Sequence, residues 1–249
     1  MESQQMNLDV ISNNLANVNT TGYKESKLEF QDLLYQTTRA AGSQQGGGNE
    51  LPGSLQIGQG AIPIATERVF TNGELSQTGG NLDVAIQGAG FFQVQMPDGT
   101  LAYTRDGGFK TDSEGRVVTS DGYPVQGGFQ PVPSGTTNIT ISASGAVTYT
   151  TSSGVTSSQI QLANFNNPGG LEAVGHNLFK ETPASGTAQL GDPTQSGLGE
   201  LQQGYLELSN VSVVQEMVNL ILAQRAYEVN SKAVQAADQM MQDSNNLQR

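Results

Sequence analysis

Five carboxylates, Asp98, Asp106, Asp112, Glu114 and Asp121, stand within one short stretch of the 249-residue sequence. Two carboxylates flanking a sugar linkage is the chemistry of glycoside hydrolysis, and a cluster of carboxylate oxygens is the chemistry of calcium binding. Their spacing matches no EF-hand loop. Most precede or sit within glycine-containing turns (Asp98-Gly99, Asp106-Gly107, Asp112-Ser113-Glu114-Gly115, Asp121-Gly122). Asp is favoured there because its side chain bonds the nearby backbone. The turn reading is preferred, and no catalytic, cofactor-binding or metal-binding residue is assigned. His176, the single histidine, lies between Gly175 and Asn177; a zinc or Ser-His site asks for more partners than that. The glycines around Gly46 and the pair Gly58-Gln59-Gly60 lack the following Lys-Ser/Thr of a phosphate loop. Asn138-Ile139-Thr140 fits a glycosylation triplet, a pattern that arises often by chance.

Composition narrows the class further. The formal charge is -12, from 11 basic and 23 acidic residues. A nucleic-acid binder needs a cationic footprint, so nucleic acid is set aside. No cysteine is present, which removes disulfides, thiolate metal sites and Cys nucleophiles. No apolar run is long enough to span a bilayer, so direct membrane insertion is not expected. The opening Met1-Glu2-Ser3-Gln4-Gln5 lacks the basic and apolar regions of a cleavable signal peptide; export, if it occurs, needs another machine. The 31 glycines and 9 prolines suggest tight turns joining short strands.

The elements follow from periodicity. Leu8, Ile11, Leu15 and Val18 fall three, four and three apart, which puts them on one helical face. The other side carries Asn7, Asp9, Asn13, Asn14 and Asn17, and Asn19-Thr20-Thr21-Gly22 reads as the stop. At the other end, Ser212 and Gln215 fit a capping box, with Glu216 in the first turn. Leu222, Ala226, Val229, Ala233, Ala236 and Met240 alternate four- and three-residue steps, a coiled-coil-like seam. Val213, Leu220, Tyr227, Val234 and Met241 repeat every seven. The combined stripe is too broad for a two-stranded coil, and only one other, shorter helix is available to cover it. An intramolecular bundle face is the commoner use of such a seam; the shortage of partner helices favours other subunits.

The middle reads as β structure from Glu67 to about Glu181. Leu82, Val84 and Ile86 alternate with polar or small residues. Phe91 to Met96 and Leu101 to Thr104 flank the turn Pro97-Asp98-Gly99-Thr100, a hairpin signal. Ile139 to Ile141 and Ala146 to Tyr149 flank Ser144-Gly145. Residues 182–199 read as loop. Between Tyr23 and Thr66 the pattern weakens, with a flexible-looking tract from Ala40 to Gly48 and an extended stretch from Ile57 to Ile64. The fold class expected is α+β: an antiparallel β domain in the middle, with amino- and carboxy-terminal helices pairing as a coiled-coil-like stalk. The division expected is a helical polymerisation core (1–22 and 209–249), an extended linker or stiffening region (23–66 and 200–208) and a β-rich outer domain (67–199).

The ends also carry a resemblance. The segment Asn13-Asn14-Leu15-Ala16-Asn17-Val18-Asn19-Thr20-Thr21-Gly22-Tyr23-Lys24 resembles the amino-terminal signature of the flagellar rod and hook axial proteins. Gln224-Arg225-Ala226-Tyr227-Glu228-Val229-Asn230-Ser231-Lys232-Ala233 is similar to their carboxy-terminal signature. Asp83 to Phe92 and Tyr103-Thr104-Arg105-Asp106-Gly107 resemble their shared middle domain. Asp32 to Thr37, Leu55 to Gly60 and Ala65 to Arg68 resemble the distal-rod subfamily, whose insert is absent from hook proteins. Family members carry residues ahead of the position of Met1, so this sequence enters the first helix part-way.

The resemblance implies a non-enzymatic structural subunit of the distal rod, in the periplasm-spanning flagellar basal body. It implies type III export without a cleavable signal, and a hollow helical homo-oligomer that passes torque from motor to hook. The implied partners are further copies, proximal rod and hook proteins, and rod-cap and periplasmic or outer-membrane ring proteins. Subunit packing is assigned to Leu8, Ile11, Asn14, Leu15, Asn17 and Val18 at one end. At the other it is assigned to Leu220, Leu222, Ala226, Tyr227, Val229, Ala233, Val234 and Met240. The stiffening insert is assigned to Leu55, Ile57, Gly58 and Gly60. The alternatives are a proximal rod or hook subunit, a secreted glycan-active enzyme on a β scaffold, and an extracellular binding module dimerised by its helices.

Overall fold

Two helices bracket the chain in the computed structural model, which describes residues 2–39, 44–45, 49–50, 53–152 and 154–247. The first, α1, runs Glu2–Ala16 and the second, α2, runs Val213–Leu247. Every strand pairing whose register is defined within the sheets is antiparallel. The α+β class with antiparallel strands is therefore observed. The chain forms two compact units: Met1–Asn13, Ser26–Glu67 and Met217–Arg249 in one, Asn14–Glu25 and Arg68–Glu216 in the other.

In the first unit the region between the helices is a paired ribbon. Ser26–Asp32 lies beside Ala61–Arg68, and Tyr35–Arg39 beside Leu55–Gly58. Tyr35 faces Gly58, Gln36 faces Ile57 and Thr37 faces Gln56; the register then shifts by one, so that Arg39 faces Leu55. Gln44–Gln45 against Asn49–Glu50 continues the shifted register. Gly60 has a φ of 103°, a conformation open to glycine and costly for other residues, and its carbonyl accepts the Leu33 N–H at 2.9 Å. The extended reading of Ile57 to Ile64 thus gains a partner strand. The rest of the Ala40 to Gly48 tract lies outside the described residues. Ser3 Oγ on α1 donates to the carbonyl of Ala61 on the ribbon at 3.0 Å.

The second unit buries its core on both faces of short strands. Phe92–Gln95 and Leu101–Thr104 form the expected hairpin, with Gln95 facing Leu101 and Phe92 facing Thr104. Leu178–Lys180 and Glu172–Gly175 extend it to four strands. Phe91 and Phe92 are both buried because adjacent residues of an extended chain point to opposite faces. Phe92 joins Val84, Ile86, Phe109 and Tyr149 in the larger core. Phe91 meets Phe70, Phe165 and Phe179 edge-on, at 5.3, 5.7 and 6.1 Å between ring centroids. A separate three-stranded sheet joins Thr136–Ile141, Ala146–Thr151 and Gly154–Gln159. One strand, Gln189–Gly191, pairs with Leu162–Asn164 inside the stretch read as loop. Three residues with one apolar side chain leave no alternation to detect. Residues Glu200–Gln203 and Tyr205–Glu207 pair with Val84–Gln87 and Leu75–Gln77, so the β-rich unit runs past 199 to Glu216.

Both ends of this unit's chain are fastened at one buried carboxylate. Glu207 Oε1 lies 2.6 Å from Lys24 Nζ, and both side chains are inaccessible. The same oxygen accepts the Gly73 N–H at 2.9 Å. Lys24 Nζ also donates to the Thr71 carbonyl at 2.8 Å. Arg105 Nη1 stands 3.6 Å from Glu207 Oε2, while Nη2 donates to the Gly88 carbonyl at 2.7 Å. Two cations thus share one carboxylate away from water. Burial pulls the Lys24 ammonium below its ordinary value, against the opposing pull of Glu207. Backbone bonds complete the clasp: Gly22 N–H donates to the Glu207 carbonyl at 2.8 Å, and Asn210 Oδ1 accepts the Glu25 N–H at 2.8 Å. A Cβ on Gly22 would stand 2.6 Å from the backbone nitrogen of Asp106, so only glycine permits this approach.

Two predictions follow from the clasp and its surroundings. Removing one partner of a buried pair costs about 3–5 kcal/mol. Lys24→Met should fall in that range by urea denaturation followed by circular dichroism, and Glu207→Ala should cost more, because it strands two buried cations whereas Lys24→Met leaves the carboxylate beside Arg105. Burial raises the Asp106 carboxyl above its ordinary value, despite the Gly108 N–H it accepts. A raised carboxyl stabilises fully below the unfolded value near 3.8 and loses that contribution as pH rises through the folded value. Asp106→Asn should therefore melt higher than the parent at neutral pH, with the gap closing in acid below about pH 4.

Candidate functional site

The carboxylates singled out for chemistry are each used locally. Asp98 Oδ1 accepts the Thr100 N–H at 2.9 Å and the Thr100 hydroxyl at 2.6 Å. These bonds hold the Asp98 carboxyl below its usual range, led by the hydroxyl. Asp112 Oδ1 accepts the Glu114 and Arg116 N–H groups at 2.9 and 2.8 Å. Asp121 Oδ2 faces His176 Nδ1 at 3.3 Å on the surface. Among the described residues no three His, Asp or Glu side chains gather as a metal site. What the molecule displays instead is apolar surface.

On α2 the large side chains face outward. Leu222 is 63% exposed and Val229 64%; Met217, Ile221, Val234 and Met240 are also exposed. The covered line of the helix is Glu216, Asn219, Leu220, Ala223 and Ala226, mostly small or polar. Tyr227 and Ala233, from the two seam rows, are exposed as well. A helix normally turns its large apolar residues inward, so this inversion marks a surface that one chain leaves unsheltered.

On α1 the expected stripe is partly covered. Ile11 is buried, while Leu8 and Leu15 are half-buried. Val18 lies beyond the helix, in the turn that follows Ala16, as does Asn17. Asn14 is placed differently from the polar side that the spacing suggests. It lies with Ile11 on the covered side, and its Oδ1 accepts the Tyr23 hydroxyl at 3.1 Å. A residue three places from a buried one shares its face, which decides the matter once Ile11 turns inward.

The ribbon is the second apolar surface. Leu34 is 88% exposed, and Tyr35, Leu55, Ile57, Ile62 and Ile64 are exposed too. Gly58 lets the Tyr35 ring lie across the partner strand, where a Cβ would come within 3.2 Å of it. A groove of about 390 Å³ runs along Leu33, Leu34, Tyr35 and Ile62. Two isolated strands are marginal in water, so the ribbon too lacks cover that a single chain would supply.

The sequence did not reveal the clasp around Glu207. Lys24 and Glu207 are 183 residues apart, and a lone glutamate before a helix carries no local signal. The one hint was that Gly22-Tyr23-Lys24 and Tyr103-Thr104-Arg105 both fall within the signature segments.

Comparison with known proteins agrees with this arrangement. Three family profiles match in chain order: Flagella basal body rod protein over residues 1–24, Flagellar hook protein FlgE/F/G D1 domain over residues 85–149, and Flagellar basal body rod FlgEFG protein C-terminal over residues 202–247. The flagellar basal-body rod protein FlgG of Caulobacter vibrioides is 50% identical over 251 residues, covering 99% of this chain and 95% of that protein. Two Bacillus subtilis proteins also match along nearly the whole chain. Its FlgG is 40% identical over 258 residues, covering 100% of this chain and 96% of its own. Its flagellar hook-basal body complex protein FlhP is 33% identical over 250 residues, covering 95% and 92%. The full-length matches, the three profiles and the helix–β–helix order place the chain in the FlgG family of flagellar basal-body rod proteins.

Proposed function

We propose that the chain is a structural subunit of the flagellar distal rod that polymerises through α1, α2 and the ribbon. It is not an enzyme. The observation that carries the reading is the outward-facing apolar row of α2. Fully burying a Val, Leu, Ile or Met side chain is worth about 1.5–3 kcal/mol. These residues are about half exposed, so each retains on the order of 1 kcal/mol to gain from a neighbour. A contact of this kind joins unlike surfaces and does not close on itself, which generates a helical filament. The terminal helices would pair as a coiled-coil-like inner layer, with the β-rich unit outside and the ribbon stiffening the wall. The division into a polymerisation core, a stiffening region and an outer domain follows. The assembled tube is hollow and transmits torque from motor to hook. Its neighbours are proximal rod and hook proteins at its ends, with rod-cap and ring proteins around it. It would sit in the periplasm-spanning part of the basal body, delivered unfolded through the flagellar type III export channel. The helices would then order on docking.

The exposed seam makes the first prediction. The double variant Leu222→Ser and Val229→Asp should keep the melting temperature of the β-rich unit within a few degrees. It should raise the concentration needed for filaments by at least about tenfold, read by electron microscopy and sedimentation. The ribbon makes the second. Deleting residues 40–60 should leave filaments that form but bend, with persistence length falling several-fold in micrographs; straight, stiff filaments would favour a proximal rod assignment.

A further inference from the structure

We infer that the strand Gly154–Gln159 is an interaction surface for a second copy of this chain, docked by main-chain pairing along its open edge. The inference rests on the self-assembly reading but uses a different part of the molecule. Gly154–Gln159 is an outer strand of the three-stranded sheet. The Ile160 N–H donates to the Gly145 carbonyl at 2.8 Å, and Val147 faces Ser158, Tyr149 faces Thr156 and Thr151 faces Gly154. Hydrogen-bonded pairs recur at every second residue of an antiparallel ladder. Gly154, Thr156 and Ser158 therefore turn their backbone groups inward, while Val155 and Ser157 turn theirs out.

The two edges of this sheet are treated differently. At Thr136–Ile141 the side chain of Gln203 closes the edge: its Nε2 donates to the Ile139 carbonyl at 2.8 Å, and its Oε1 accepts the Ile141 N–H at 2.9 Å. No described residue does the same at Val155 and Ser157. Val155 is 68% exposed. Edge strands are normally blunted by a charge, a proline or a bulge. Gly154–Gln159 has none of these.

Charge decides what the occupant is. The chain carries -12, so two copies repel wherever their acidic surfaces meet. Yet no charged residue lies between Asp121 and Glu172. The outer face of the sheet is made of neutral rows, Thr140–Thr148–Ser157 and Asn138–Thr150–Val155. Here a second acidic copy can approach without like-charge repulsion, and unpaired N–H and C=O groups reward it. The strand itself offers no carboxylate to a cationic partner.

The test uses the full chain, whose lack of cysteine makes a single introduced thiol unique. Val155→Cys carrying a benzophenone should cross-link to another copy in assembled filaments. Val155→Lys, and Ser157→Pro, which removes an outward N–H that the sheet does not use, should each raise the assembly concentration at least about fivefold with melting unchanged. The inference is overturned if filaments form while the benzophenone labels no other copy, or if both variants assemble like the parent; the filament reading then stands. If no filaments form, but concentrated parent chain still gives the Val155 dimer cross-link and Val155→Lys shows weaker self-association by sedimentation, the filament reading falls and this one stands. If no filaments form and concentrated chain gives no cross-link, both fall.

Discussion

A single buried carboxylate holds this chain's plan together. Glu207 lies just before α2, and Lys24 just after α1. Their contact closes the β-rich unit at the point where its chain enters and leaves. In water such a pair would be worth little; here the desolvation of three charged groups makes the geometry all-or-none. Carbonyls of Thr71 and Gly88 and the N–H of Gly73 add hydrogen bonds to the cluster, while Glu207 Oε2 accepts none and Arg105 Nε donates none among the described residues. The clasp adds less net stability than an apolar core would. It does fix one arrangement, since no displaced register of the amino-terminal segment returns Lys24 to the carboxylate or Gly22 to the backbone of Asp106.

With its roots fixed, the chain can leave the rest of its termini under-covered. Entropy opposes ordering a long helix that buries little, and α2 buries mainly small and polar residues. The ribbon is in the same position, with branched side chains on a two-stranded scaffold. A monomer that is firm in one unit and unsheltered in the other suits a subunit that completes its fold in a polymer. The β-rich unit, with aromatic packing on both sides of Phe91-Phe92, needs no such help.

Much of this was legible in the residues. The hairpin around Pro97-Asp98-Gly99-Thr100 appears where the turn chemistry put it, and Gly145 and Gly122 take the positive φ values their turns imply. The two helices stand where the three- and four-residue spacing put them, except that the first ends at Ala16, before Val18. Less legible were contacts of high sequence separation. Asn14 looked like part of a polar face, but its amide is bonded to Tyr23 on the covered side. The ribbon looked merely extended, because its two halves are separated by a glycine-rich stretch with no pattern, and register is invisible without the partner.

The sequence by itself determined the local geometry: turn types from Asp and Gly, helix faces from apolar spacing, and the exclusion of chemistries for which the residues are missing. These depend on neighbours a few positions apart, where covalent geometry and one or two hydrogen bonds settle the outcome. Only the tertiary structure decided which face each helix turns outward, which carboxylate is buried, and which sheet edge Gln203 closes. Those outcomes compare the burial of distant groups against one another, and desolvation is a property of the folded surroundings rather than of any segment.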